Sequence, residues 1–66
     1  MEVTLRSSDG TVKVMLESGQ TIRDTLHRAG MLPSMVIVSF EGTVLPHSTV
    51  LHADVELLVT TISSGG

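Results

Sequence analysis

Residues 21–33 read TIRDTLHRAGMLP and carry the helical signal of this 66-residue chain. Thr21 has the character of an N-cap, with Asp24 at the third helical position as a capping-box variant. Ile22, Leu26 and Ala29 recur at i, i+4 and i+7, which gives one narrow apolar stripe. Gly30 suits the C′ position, and Pro33 keeps the helix from resuming. A helix of about two turns is unstable alone in water. It must therefore lie on a sheet, and the flanking sequence has to supply one.

Outward from this segment the periodicity changes to that of strands. Val3 and Leu5 alternate with Thr4 and Arg6 across residues 2–6. Ser7-Ser8-Asp9-Gly10 follows, and Asp-Gly between alternating runs predicts a hairpin. Residues 11–17 alternate Val12, Val14 and Leu16 with Lys13, Met15 and Glu17. Beyond the helix, residues 35–40 predict a third strand with Val36, Val38 and Phe40 facing it. Phe40, sharing parity with two valines, is expected to anchor the core, at a cost of about 3–5 kcal/mol on truncation to alanine. Glu41-Gly42 turns into a short edge segment, Thr43-Val44-Leu45, ended by Pro46. After a polar loop and the brief apolar Val50-Leu51, a last strand runs from Asp54 to Ile62. It sets Val55, Leu57 and Val59 on one face and Leu58, Thr60 and Ile62 on the other. The order β-β-α-β-β-β, with long first and last strands paired in parallel at the centre, predicts an α+β domain over residues 1–62. Its expected form is a β-grasp: a mixed sheet of about five strands with one helix packed on one face.

Composition narrows the function classes. Net charge is −3, with four basic residues and no Tyr or Trp. Nucleic-acid binders instead show basic patches and aromatic stacking platforms. No apolar run approaches a membrane span, and Met1-Glu2-Val3-Thr4 begins with strand-like alternation rather than a signal peptide. The expected setting is the cytoplasm, and the expected state a monomer. The chain has no cysteine, hence no disulfide framework and no thiol nucleophile. His27, His47 and His52 form no recognisable ligand set, so no metal and no bound cofactor are expected.

The sequence closes on Ser63-Ser64-Gly65-Gly66. Glycine has no Cβ, so two in a row can enter a slot too narrow for other residues and leave a terminal carbonyl open from either side. A flexible arm over residues 63–66 suits chemistry on its own carboxylate. Small polar residues are also what ordinary frayed termini carry, and the tail alone does not separate the two.

Three features together resemble the sulfur-carrier branch of ubiquitin-like proteins, and they cover essentially the whole length. The first is Gly65-Gly66 after a long final strand. The second is Gly19 with Thr21-Ile22-Arg23-Asp24-Thr25-Leu26, similar to the "GxTvxdLL" helix start of that branch. The third is Val36-Ile37-Val38-Ser39-Phe40-Glu41-Gly42-Thr43-Val44-Leu45-Pro46, similar to its "vxVNgexVp" hairpin. The pattern resembles the small archaeal modifier proteins and the thiamine-pathway sulfur carrier. The molybdopterin synthase small subunit and the ubiquitin-related modifier of tRNA thiolation are more distant. Ser39-Phe40 and His47 depart from the thiamine carriers, which often have a hydrophobic residue with Asn, and Arg, at these places; the balance favours the archaeal modifier type.

The resemblance implies a protein modifier or sulfur carrier that is not itself an enzyme. A ubiquitin-activating-type adenylyltransferase, using ATP and Mg²⁺, would adenylate the Gly66 carboxylate. The product would be a thiocarboxylate passed to a sulfur-accepting enzyme, or an isopeptide bond to target proteins. A non-covalent β-grasp interaction domain is the alternative. Lys13 is the only lysine and so the lysine acceptor if the protein conjugates to itself. Ordering residues 63–66 costs about 1–2 kcal/mol each in backbone entropy, and a net hydrogen bond returns only about 1 kcal/mol. Docking therefore needs a second contact on the rigid body. Ile37, Leu58, Thr60 and Ile62, with Met15, are the expected partner-binding patch on the sheet face away from the helix.

Overall fold

In a computed structural model, whose described residues are 1–62, the chain forms a five-stranded mixed sheet with one α-helix. The expected tail, residues 63–66, lies outside the described residues. The elements are β1 (Glu2–Ser7), β2 (Gly10–Met15), α1 (Ile22–Arg28), a 3₁₀ turn (Pro33–Met35), β3 (Val36–Phe40), β4 (Thr43–Leu45) and β5 (Val55–Thr61). Strand order across the sheet is β2-β1-β5-β3-β4. β1 and β5 are parallel, with Val3 beside Val55 and Leu5 beside Leu57. The other three pairings are antiparallel. No helix among the described residues is long and apolar enough to cross a membrane.

Strand alternation places the core. Val3, Leu5, Val14, Val38, Leu57 and Val59 form one buried cluster with Ile22 and Leu26 of α1, so the helix stripe packs on this sheet face. Leu16 and Leu51, outside the strands, close its rim. Thr25, which the stripe did not include, is fully buried as well. Its hydroxyl donates to the Thr21 carbonyl at 3.2 Å, which satisfies the polar atom and makes the burial affordable.

The helix is short, and its ends are closed by hydrogen bonds. Thr21 Oγ1 accepts from the Asp24 amide at 3.2 Å, and the Asp24 carboxylate accepts from the Thr21 amide at 3.0 Å. The two preceding orphan donors go to the loop before β5: Ile22 N–H to the Thr49 carbonyl and Arg23 N–H to the His47 carbonyl, each at 3.0 Å. At the other end Gly30 N–H reaches His27 O and Met31 N–H reaches Leu26 O. With Gly30 at φ +76°, this is a Schellman ending.

Phe40 departs from expectation: it is 38% exposed and outside the core. The β3–β5 ladder ends at Ser39 opposite Leu58, so Phe40 lies one residue past it, paired only with Thr43 of β4. A helix about 10 Å wide covers the middle of five strands spaced about 4.8 Å apart and leaves such flanks open. The turn beyond, Glu41-Gly42, has φ +49° and +83°, as a two-residue type I′ hairpin requires.

Two measurements check this account. Chemical denaturation of Leu57→Ala should show a loss of about 2–5 kcal/mol, with Phe40→Ala costing clearly less; equal losses would restore Phe40 to the core. The Asp24 carboxyl is held below its ordinary value of 3.8, first by the Thr21 amide, then by the Thr21 hydroxyl, with the His27 and Arg23 charges adding to them. A depressed folded-state pKa gives stability that is complete above the unfolded value and vanishes as pH falls through the folded one. Asp24→Asn should therefore be less stable than wild type at neutral pH and converge with it below pH 3.8. A constant gap down to strongly acidic pH would show that the carboxylate charge is not what stabilises the cap.

Candidate functional site

On the sheet face away from α1, the register assembles a small apolar group. Leu58 of β5 lies opposite Ser39 of β3, and Ser39 lies opposite Val44 of β4. Ile37 pairs with Thr60, which sets it diagonal to both Leu58 and Val44, a distance long side chains can span. Leu58, Ile37 and Val44 thus surround Ser39, exposed by 53%, 39% and 65%. Arg6 borders the group, next to Leu58 in the β1–β5 register, and forms an exposed ion pair with Glu56 at 3.0 Å. Such a pair contributes at most about 1 kcal/mol, so its side chains can rearrange cheaply against a partner.

Ile37, Leu58 and Thr60 of the expected patch are thus brought together, and two others are not. Met15 is exposed but pairs with Glu2, at the far end of β1 from Arg6 and Leu58. Four residues of strand, about 13 Å, separate those levels, and Met15 is also on the outer strand. Alternation gave its face correctly but says nothing of its level along the sheet. Ile62 follows the last β5 residue, and its amide donates to the Met35 carbonyl of the 3₁₀ turn at 2.8 Å. Ile62 lines a hollow on the helix side with Arg23, His27, Pro33, Ser34, Val36 and His47, so the parity that links Leu58 and Thr60 stops with the strand. Val44 belongs to the group as well, although strand alternation alone marks it only as edge strand. The signal was Glu41-Gly42, because a two-residue hairpin places Val44 opposite Ser39.

Lys13 is exposed on β2 opposite Thr4. The Met1 nitrogen donates to the Leu16 carbonyl at 2.7 Å. Ser63, Ser64, Gly65 and Gly66 lie outside the described residues. Among the described residues no three His, Asp or Glu side chains converge as metal ligands do. No family model matches the chain, and no curated protein matches it.

Because Leu58 and Val44 point away from the core, Leu58→Asp and Val44→Asp should each change stability by no more than about 0.5 kcal/mol. A loss of the size expected for Leu57→Ala would show that this face is structural and not available to a partner.

Proposed function

We propose that this chain is a ubiquitin-like β-grasp protein acting as a protein modifier or sulfur carrier through the Gly66 carboxylate. The observation that carries the reading is the position of β5. It is paired on one side to β1 and on the other to β3, and its last residue, Thr61, stands five positions before Gly66. A strand held on both edges is a rigid base from which a short arm can reach into another protein. The parallel β1–β5 pair and the single helix on one sheet face support the β-grasp reading, and the exposed Ile37–Val44–Leu58 group supports a second contact between the folded body and the activating enzyme.

The chemistry belongs to an activating enzyme. With Gly66 bearing a free carboxylate, one oxygen attacks the α-phosphorus of Mg²⁺-bound ATP and pyrophosphate leaves, giving the acyl-adenylate. A hydrosulfide-class donor then displaces AMP to form a thiocarboxylate, or a target lysine amine displaces it to form an isopeptide bond and release a proton. Lys13 is the lysine acceptor for any self-conjugate.

The test is ATP–pyrophosphate exchange with a ubiquitin-activating-type adenylyltransferase from the same cell, together with the intact mass of the native protein. Wild type should support exchange, deletion of Gly66 should abolish it, and Leu58→Asp and Val44→Asp should weaken it by at least about tenfold. The native protein should carry sulfur in place of one terminal oxygen, or its diglycine should be found on lysines of other proteins. A wild-type chain that supports no exchange and is recovered only as the unmodified acid would refute the proposal and leave a non-covalent interaction domain.

A further inference from the structure

The hollow beside Ile62 has a character unlike the rest of the surface. Arg23 and His27 lie one turn apart on the exposed side of α1, and His47 comes from the loop before β5. They are held together by the main chain: the Arg23 amide donates to the His47 carbonyl at 3.0 Å, and the Ile22 amide ties the same loop at Thr49. The floor is apolar, formed by Pro33, Val36 and Ile62, and the opening measures about 550 Å³.

Among the described residues no carboxylate lines this hollow, although the chain as a whole carries net charge −3. Asp24, on the same helix, feels the Arg23 and His27 charges, but its carboxylate is turned to the Thr21 amide and hydroxyl, at 3.0 Å each. Arg28 is the only further charged group on α1; the 3₁₀ turn, β3 and residues 60–62 bring none, and the acid of the loop that supplies His47, Asp54, accepts from the Glu2 amide at 2.8 Å. The rim therefore offers donors: five N–H groups on the guanidinium, at least one on each imidazole and the Ser34 hydroxyl. Carboxylates, which only accept when ionised, are their complement.

We propose that this hollow is a docking site for an acidic segment of a partner protein, with carboxylates on Arg23, His27 and His47 and an apolar side chain on the Val36–Ile62 floor. Charge complementarity and the apolar floor together select this occupant. A nucleic acid would meet an otherwise acidic protein with no aromatic stacking platform beside the hollow. The site lies on the opposite side of the sheet from Leu58 and uses neither ATP nor Gly66, so it stands or falls separately from the carrier reading.

The test pans a random peptide library against the immobilised full chain, then maps the selected peptides by amide chemical shifts. Selected sequences should be enriched in Asp and Glu with an interspersed apolar residue. Shifts should fall on Arg23, His27, Ser34, Val36 and Ile62, and binding should weaken with salt. Arg23→Gln should weaken it about tenfold, with His27→Gln in the same direction. Thr11→Glu, on the exposed edge strand β2, lowers net charge by the same single unit and should leave affinity unchanged. Arg23, His27 and Thr11 are all exposed, and each variant should melt with wild type. Four results would overturn the proposal: recovery of no peptide, enrichment without acids, shifts centred on Leu58 and Val44, or equal effects of Arg23→Gln and Thr11→Glu. Displacement of the peptides by a short oligonucleotide at equal concentration would reassign the hollow to nucleic acid.

Discussion

Val3 beside Val55 and Leu5 beside Leu57 are residues 52 positions apart, and their parallel pairing is the constraint on which the remaining structure depends. Parallel strands cannot be joined by a tight turn, so nearly the whole chain becomes the connection between them. Closing a long loop costs entropy that grows only slowly with length. Against it stand side chains that are almost wholly buried: Val3, Leu5 and Leu57 are exposed by 0%, 0% and 1%. Each contributes roughly 1.5–3 kcal/mol. The β1–β2 hairpin extends one side of this pair, β3 and β4 extend the other, and α1 covers its middle.

The loop before β5 links fold and surface. It has little regular structure, yet it accepts the first two amides of α1 through Thr49 and His47 and exchanges hydrogen bonds with residues 19 and 20 through Leu51. A seven-residue helix would not hold its first turn without such acceptors. The same bonds fix where His47 lies relative to Arg23. The side-chain arrangement on the helix side is thus a by-product of satisfying backbone donors.

Most of the architecture was legible because its signals are local and periodic. The alternation in residues 2–6 and 54–62, the Thr21–Asp24 cap and Gly30 each have a direct geometric meaning, and the five strands and one helix appear in the expected order. What alternation cannot encode is where each strand's partner ends. Phe40 and Val38 share parity, but the β5 ladder stops between them at Ser39. Met15 and Leu58 both face away from the helix, but register sets them at different levels. Ile62 continues a pattern in sequence after the strand that gave it meaning has stopped. Thr25 shows a further limit, since a polar residue can be buried when a carbonyl four residues back accepts its hydroxyl proton. The candidate site was therefore legible as a face but not as a set, and Val44 was missing from it for lack of the β3–β4 register.

The parallel central pair has a mechanical consequence. A force applied between Glu2 and Thr61 acts along the two strands in opposite directions, so it loads the β1–β5 hydrogen bonds in shear. They must yield as a group, whereas the ladder between β3 and β4, with its tight turn at Glu41-Gly42, can open one bond at a time. A machine that unravels this protein by threading would meet the greatest resistance when it pulls from these two ends, and much less from a handle on β2 or β4.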